Sequence, residues 1–199
     1  MARLTLILVL VLGLSAATAR ADEITEQIDR GLERYRNGEI AAAIDELTFA
    51  LGQLKQLQAE RLVGMLPPAP AGWSAEPETE SAGLPSFLGG GITAGTRYHE
   101  TAGPGEMHLS VVAGSPLIAG LAPLLTSGLV PQGSGNRLLL INGQKALLTS
   151  SASDKAELQM VVDGTIMVQV TASGSAKAAD LAQSLAKALD LAKLRSVMH

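Results

Sequence analysis

Apolar residues recur three and four apart along the stretch that follows residue 21. Ile24, Ile28, Leu32 and Tyr35 sit at helical intervals with Glu and Arg between them, and Asn37-Gly38 closes the run. Glycine ends a helix readily because it enters the left-handed conformation without steric cost. A second run starts near Glu39 and sets Ile40, Ile44, Leu47, Leu51 and Leu54 on one face. It stops before Pro67-Pro68, which cannot continue a helix. The pattern predicts two antiparallel helices joined by a very short turn over residues 22–66.

The period then changes. Residues 67–91 are rich in Pro, Gly, Ser and Glu and read as a linker, with Trp73 packing at the start of the next domain. Over 92–199 the pattern alternates. Thr93–Glu100 and Met107–Val112 flank Gly103-Pro104-Gly105. Asn136–Ile141 and Gln144–Ser150 flank Asn142-Gly143, and Leu158–Val162 and Thr165–Thr171 flank Asp163-Gly164. Asn-Gly and Asp-Gly supply the positive backbone angles of a tight hairpin turn. A helix opens at Ser115-Pro116, a cap followed by a first-turn proline. A last helix runs from about Ala176 to Leu194, with Leu181, Leu185, Leu189 and Ala192 inward. The fold class is α+β: an α-hairpin, then a roughly six-stranded antiparallel sheet covered by two helices.

Within the hairpin, Gly31, Gly38, Ile40, Ala43, Leu47 and Ala50 stand where a tetratricopeptide repeat places its small and large packing residues. The region resembles a single such repeat. It departs from the family at Arg34, where an aromatic is usual, and at Lys55, near the usual helix-ending proline. The resemblance implies protein binding. A solenoid needs about three repeats to bury its core, so a lone hairpin must pack against something else. The order of elements after Gly72-Trp73 is similar to small exported α+β domains of the Mog1/PsbP type and of uncharacterised bacterial envelope families.

The first residues change the setting. Arg3, the apolar run Leu4–Leu14 and the small residues up to Ala19-Arg20-Ala21 follow the order of a secretory signal. The apolar run is about half the ~20 residues of a spanning helix. Cleavage after Ala21 is expected, with a periplasmic product beginning at Asp22 and no transmembrane segment in the mature chain. Removal of Arg3 and Arg20 leaves 13 basic against 19 acidic side chains, a net of −6. That balance disfavours nucleic acid and anionic lipid as partners. The chain has no cysteine, so burial alone must hold it together.

Candidate chemistry is sparse. Gly133-Ser134-Gly135 lacks the spacing of a nucleophile elbow. Ser184 and Lys187 fit Ser-x-x-Lys, but Ser153-Asp154-Lys155 stands in the wrong order and no Lys-Thr-Gly follows. Glu76, Glu78 and Glu80 lack calcium-loop spacing, and Gly89-Gly90-Gly91 lacks the ending of a phosphate loop. His99 and His108 are the one candidate metal pair. With the turn centred at Gly103-Pro104-Gly105 they fall opposite one another on the outward face, with Glu100 and Glu106 on the other. Two ligands are fewer than zinc takes, so the default is a solvated pair and no cofactor.

The segment Ser115–Val130 belongs to a stretch with no charge between Met107 and Arg137. A helix covering one sheet normally has a charged outer face. This one is expected either to be buried between the sheet and the hairpin or to offer an interaction surface through Leu117, Leu121, Ala122, Leu124 and Thr126. The expected function is that of an exported, non-catalytic accessory or scaffolding protein whose partner is an envelope protein. The alternative is a carrier or sensor of an apolar, lipid-like ligand.

Overall fold

Residues 22–78, 91–118, 120 and 135–196 are described by the structure, a computed structural model. The chain divides at Leu57: one unit ends there and a second runs from Gln58.

The first unit is the expected helical hairpin. Helix α1 (22–36) stops where Gly38 takes a φ of +80°, and α2 (Ile40–Val63) follows at once. Backbone bonds from Asn37 to Glu33 and from Glu39 to Arg34 close the turn, and Arg34 Nη1 lies 2.5 Å from Glu39 Oε2. Gly31, Ala43 and Ala50 let the helices approach at the seam, which Ile24 and Gln27 complete. Ile24, Gln27 and Gly31 of α1 are buried, as are Ala43 and Ala50 of α2. The Gln27 amide donates to Glu46 and its carbonyl accepts from Arg30. A methyl group added at Gly31 would stand 2.7 Å from the Leu47 side chain, so the absence of a Cβ there is what lets the helices approach.

Among the described residues the second unit holds seven strands rather than the expected six. They are β1 (Trp73–Glu78), β2 (Ile92–Glu100), β3 (Glu106–Ala113), β4 (Asn136–Ile141), β5 (Gln144–Ala152), β6 (Lys155–Val162) and β7 (Ile166–Ser173). The order across the sheet is β1-β2-β3-β7-β6-β5-β4, and every neighbouring pair is antiparallel. Two meanders thus meet at β3 and β7 in the middle. The additional strand, β1, lies inside the stretch that reads as linker. Its Pro77 is tolerated because an edge strand leaves one row of backbone groups unpaired. Strand β6 also starts earlier than its alternation suggests, so that Ser153-Asp154 makes a turn between β5 and β6.

One face of the sheet carries the core. Tyr98, Met107, Leu109, Val111, Leu148, Leu158, Met160, Val168 and Val170 are buried there with Leu62 and Leu66 from the end of α2 and beyond it. The Tyr98 hydroxyl donates to Pro67 O at 2.7 Å, and burial pushes its pKa up to about 12. Ala178, Ala182, Leu185 and Ala186 of α3 (Ala178–Lys187) pack on the same side.

The single final helix expected from Ala176 to Leu194 is broken in two. Helix α3 ends where the Asn142 amide, in the β4–β5 turn, donates to Lys187 O and Leu189 O. Asp190 then accepts from the backbone of Ala192 and Lys193 and caps α4 (Leu191–Ser196). Leu185, Leu189 and Leu194 are buried and Leu181 is partly so, but Ala192 is exposed because the break resets the helical phase.

Candidate interaction face

The periodicity that predicts the hairpin also fixes which way its large residues point. Each helical residue advances 100° around the axis. On α1 the seam runs through positions 24, 27 and 31, and Ile28, Leu32 and Tyr35 lie roughly 70° to one side of it. On α2 the seam runs through 43, 47 and 50, and the stripe Ile40, Ile44, Leu47, Leu51, Leu54 is turned by roughly the same angle. Because the helices are antiparallel, these two rotations bring both stripes to one side of the hairpin. All eight of these side chains are exposed, from Ile28 at 39% to Tyr35 at 62%. Together they leave on the order of 700 Å² of apolar area open, where the largest patch on a typical monomer is about 300–600 Å².

The charges around this face are few. Thr25, Asp29 and Arg36 border it along α1, and Lys55 borders it along α2. The opposite side of the hairpin carries a cleft of about 760 Å³ lined by Ile24, Phe49, Leu57, Asp45 and Gln53 among others. Within it the Gln53 Oε1 atom is buried without a hydrogen-bond partner.

The two histidines are not brought together. His99 pairs with Glu106 and His108 with Arg97, so the ladder is offset by two residues from the expected one. The cause is the turn. Glu100 N donates to Gly105 O at 2.9 Å and the Glu100 carboxylate accepts from Gly105 N at 3.1 Å, which closes the loop over Thr101–Pro104. Each imidazole instead meets its own carboxylate. His108 Nε2 is 3.0 Å from Glu78 Oε2, whose other oxygen lies 2.7 Å from Arg97 Nη2, and His99 Nδ1 is 3.7 Å from Glu106 Oε1. Glu106 shares the face of the histidines rather than opposing it, since positions 106 and 108 are two apart on one strand. Among the described residues no group of three or more such side chains could hold a metal ion.

Of the expected interaction residues in the charge-free segment, Leu117 is 44% exposed. Its backbone N–H donates to the Ser115 hydroxyl at 3.3 Å, the cap that the Ser-Pro pair predicts. Ile118 is buried with Val112, Val161 and Met167, on the sheet face opposite α3. Leu121, Ala122, Leu124 and Thr126 lie outside the described residues, as do Ser134 and Glu80. Ser184 is exposed on α3, three residues from Lys187.

Sequence reasoning found the hairpin stripes and required the hairpin to pack against something else, without saying what covers them. The signal that they stay open is the set of small residues Gly31, Ala43 and Ala50, which bring the helices close enough for the seam to close with Ile24 and Gln27 and leave the larger stripe residues mostly outside it. Among the described residues no helix is long and apolar enough to cross a membrane. No family model matches this chain, and neither does any curated protein or solved structure.

Proposed function

We propose that this chain is an exported, non-catalytic accessory or scaffolding protein of the periplasm, and that it works by binding protein through the apolar face of its α-hairpin. The observation that carries this reading is the exposure of eight large apolar side chains on one side of a hairpin whose seam is already filled. A tetratricopeptide-like hairpin used singly fits the same role, since such helices bind by their faces. The leader expected over residues 1–21 supplies the location.

A photo-activated cross-linking residue placed at Leu51 should capture protein in the cell envelope, whereas the same residue at the exposed Lys187 should not. Equal capture at both positions would remove the reading. N-terminal sequencing of the recovered protein should start at Asp22. Recovery of intact Met1 in the membrane fraction would mean an anchored chain.

The cleft behind the hairpin favours the second reading, a carrier of an apolar ligand. Its volume falls within the roughly 300–1,000 Å³ of small-molecule sites. Solvent extraction of the purified protein should then release a stoichiometric lipid, and a clean extract rejects this alternative.

A further inference from the structure

We infer that the apolar face of the hairpin is occupied by a second copy of this chain, which pairs with it face to face as a four-helix bundle; this rests on the reading of that face as a protein-binding surface. Three observations single out this occupant. The first is area. The open apolar surface, on the order of 700 Å², approaches the ~800 Å² that each partner contributes to a stable standard-size interface.

The second is level. The Gln27 amide on Glu46, Gly31 against Leu47 and Arg34 against Glu39 fix how α1 lies beside α2. They put Tyr35 level with Ile40, Leu32 with Ile44 and Ile28 with Leu47. A two-fold axis parallel to the helices therefore lays Tyr35, Leu32 and Ile28 of one copy on Ile40, Ile44 and Leu47 of the other, and Leu51 of α2 falls level with the first turn of the partner's α1. Every neighbouring pair of helices is then antiparallel. The spacing of 40, 44, 47, 51 and 54 alternates four and three, the interval of helices that pack knobs into holes.

The third is charge. The border of the face has one acidic residue, Asp29, against Arg36 and Lys55. An anionic membrane surface calls for a cluster of basic residues, and a strongly basic helix would call for an acidic rim. A nearly balanced border suits a copy of itself.

Sedimentation velocity on the chain as its host produces it, from 1 to 100 μM, tests the pairing. A dimer is expected in that range. Leu32→Glu and Ile44→Lys should each raise the dissociation constant at least tenfold with the helical circular dichroism unchanged, since both positions are exposed in the single chain. Because residue 32 of one copy faces residue 44 of the other, the doubly substituted chain should recover at least threefold of that loss. Leu140→Lys, on the sheet edge, should leave the constant within twofold of the parent. A wild type that stays monomeric at 100 μM overturns the pairing, as does a dimer indifferent to Ile44→Lys or a double variant weaker than either single one. If the chain is monomeric while Leu51 still cross-links a different protein, self-pairing fails and the broader binding reading stands.

Discussion

The two units solve the burial problem in opposite ways. In the sheet unit large side chains go inside: Tyr98, Leu109, Leu158 and Met160 are almost completely shielded from water. In the hairpin the inside is Ile24, Gln27, Gly31, Ala43 and Ala50, and the other large apolar residues, from Ile28 to Leu54, are mostly outside. The first arrangement stabilises the unit that contains it. The second spends little apolar area on internal stability and leaves most of it for association. A hairpin of this kind is stable chiefly through what it meets, because isolated short helices are marginal in water.

The largest expected effect separates the two units directly. Leu158→Ala removes a fully buried side chain and should cost about 2–5 kcal/mol in urea unfolding. Leu51→Ala removes one that is half exposed, and at submicromolar protein it should change stability by about 0.5 kcal/mol or less. Similar losses at the two positions would mean that the hairpin face is covered within the single chain, and the contrast between the units would collapse.

What the sequence revealed follows the same division. Helical periodicity reports which residues share a face, and so Ile40, Ile44, Leu47, Leu51 and Leu54 were legible as one stripe. It does not report what covers that face, which is why their exposure was not. Asn142-Gly143 announced its turn because Asn142 and Gly143 must both take positive φ, and they do, at +48° and +80°. The second task of Asn142, holding the end of α3, depends on a residue far away in sequence and left no local trace. Strand β1 was hidden for a related reason. Most of its residues are exposed, so Trp73–Glu78 shows no alternation, and its place is set by pairing with β2 and by the contacts of Glu78 with Arg97 and His108. The histidine pair failed on one carboxylate, since Glu100 closes the β2–β3 turn earlier than its glycines suggest.

A second effect sharpens the contrast from the sheet side, where a polar group is held inside the core. The Tyr98 hydroxyl has a pKa raised by burial from 10 to about 12. Above pH 10 the unfolded chain loses this proton while the folded one keeps it, so the folded state binds more protons and stability falls as pH rises. The loss should develop between about pH 10 and 12 and approach roughly 2–3 kcal/mol for this group. Tyr98→Phe should flatten that part of the profile, at about 1 kcal/mol lost near neutrality with the bond to Pro67. An unchanged alkaline slope in the variant would show that other groups control it.

The smallest effect probes the seam of the hairpin, where the contrast rests on close approach through small residues. A Cβ at Gly31 would lie 2.7 Å from Leu47 Cδ2 and Cγ, too near to be accommodated in place. Leu47 is nearly half exposed and has room to turn outward. For Gly31→Ala, the relief of glycine's helix penalty, about 1 kcal/mol, therefore opposes the displacement of Leu47, and the net change should be near zero. Gly31→Leu adds three further carbons to a seam with no space for them and should destabilise the hairpin by about 1–3 kcal/mol. Helical circular dichroism should fall in the leucine variant and hold in the alanine one. If both variants keep full helicity and stability, the helices are not held at contact distance by Gly31. The large residues would then lie outside for some reason other than a seam already filled with small ones.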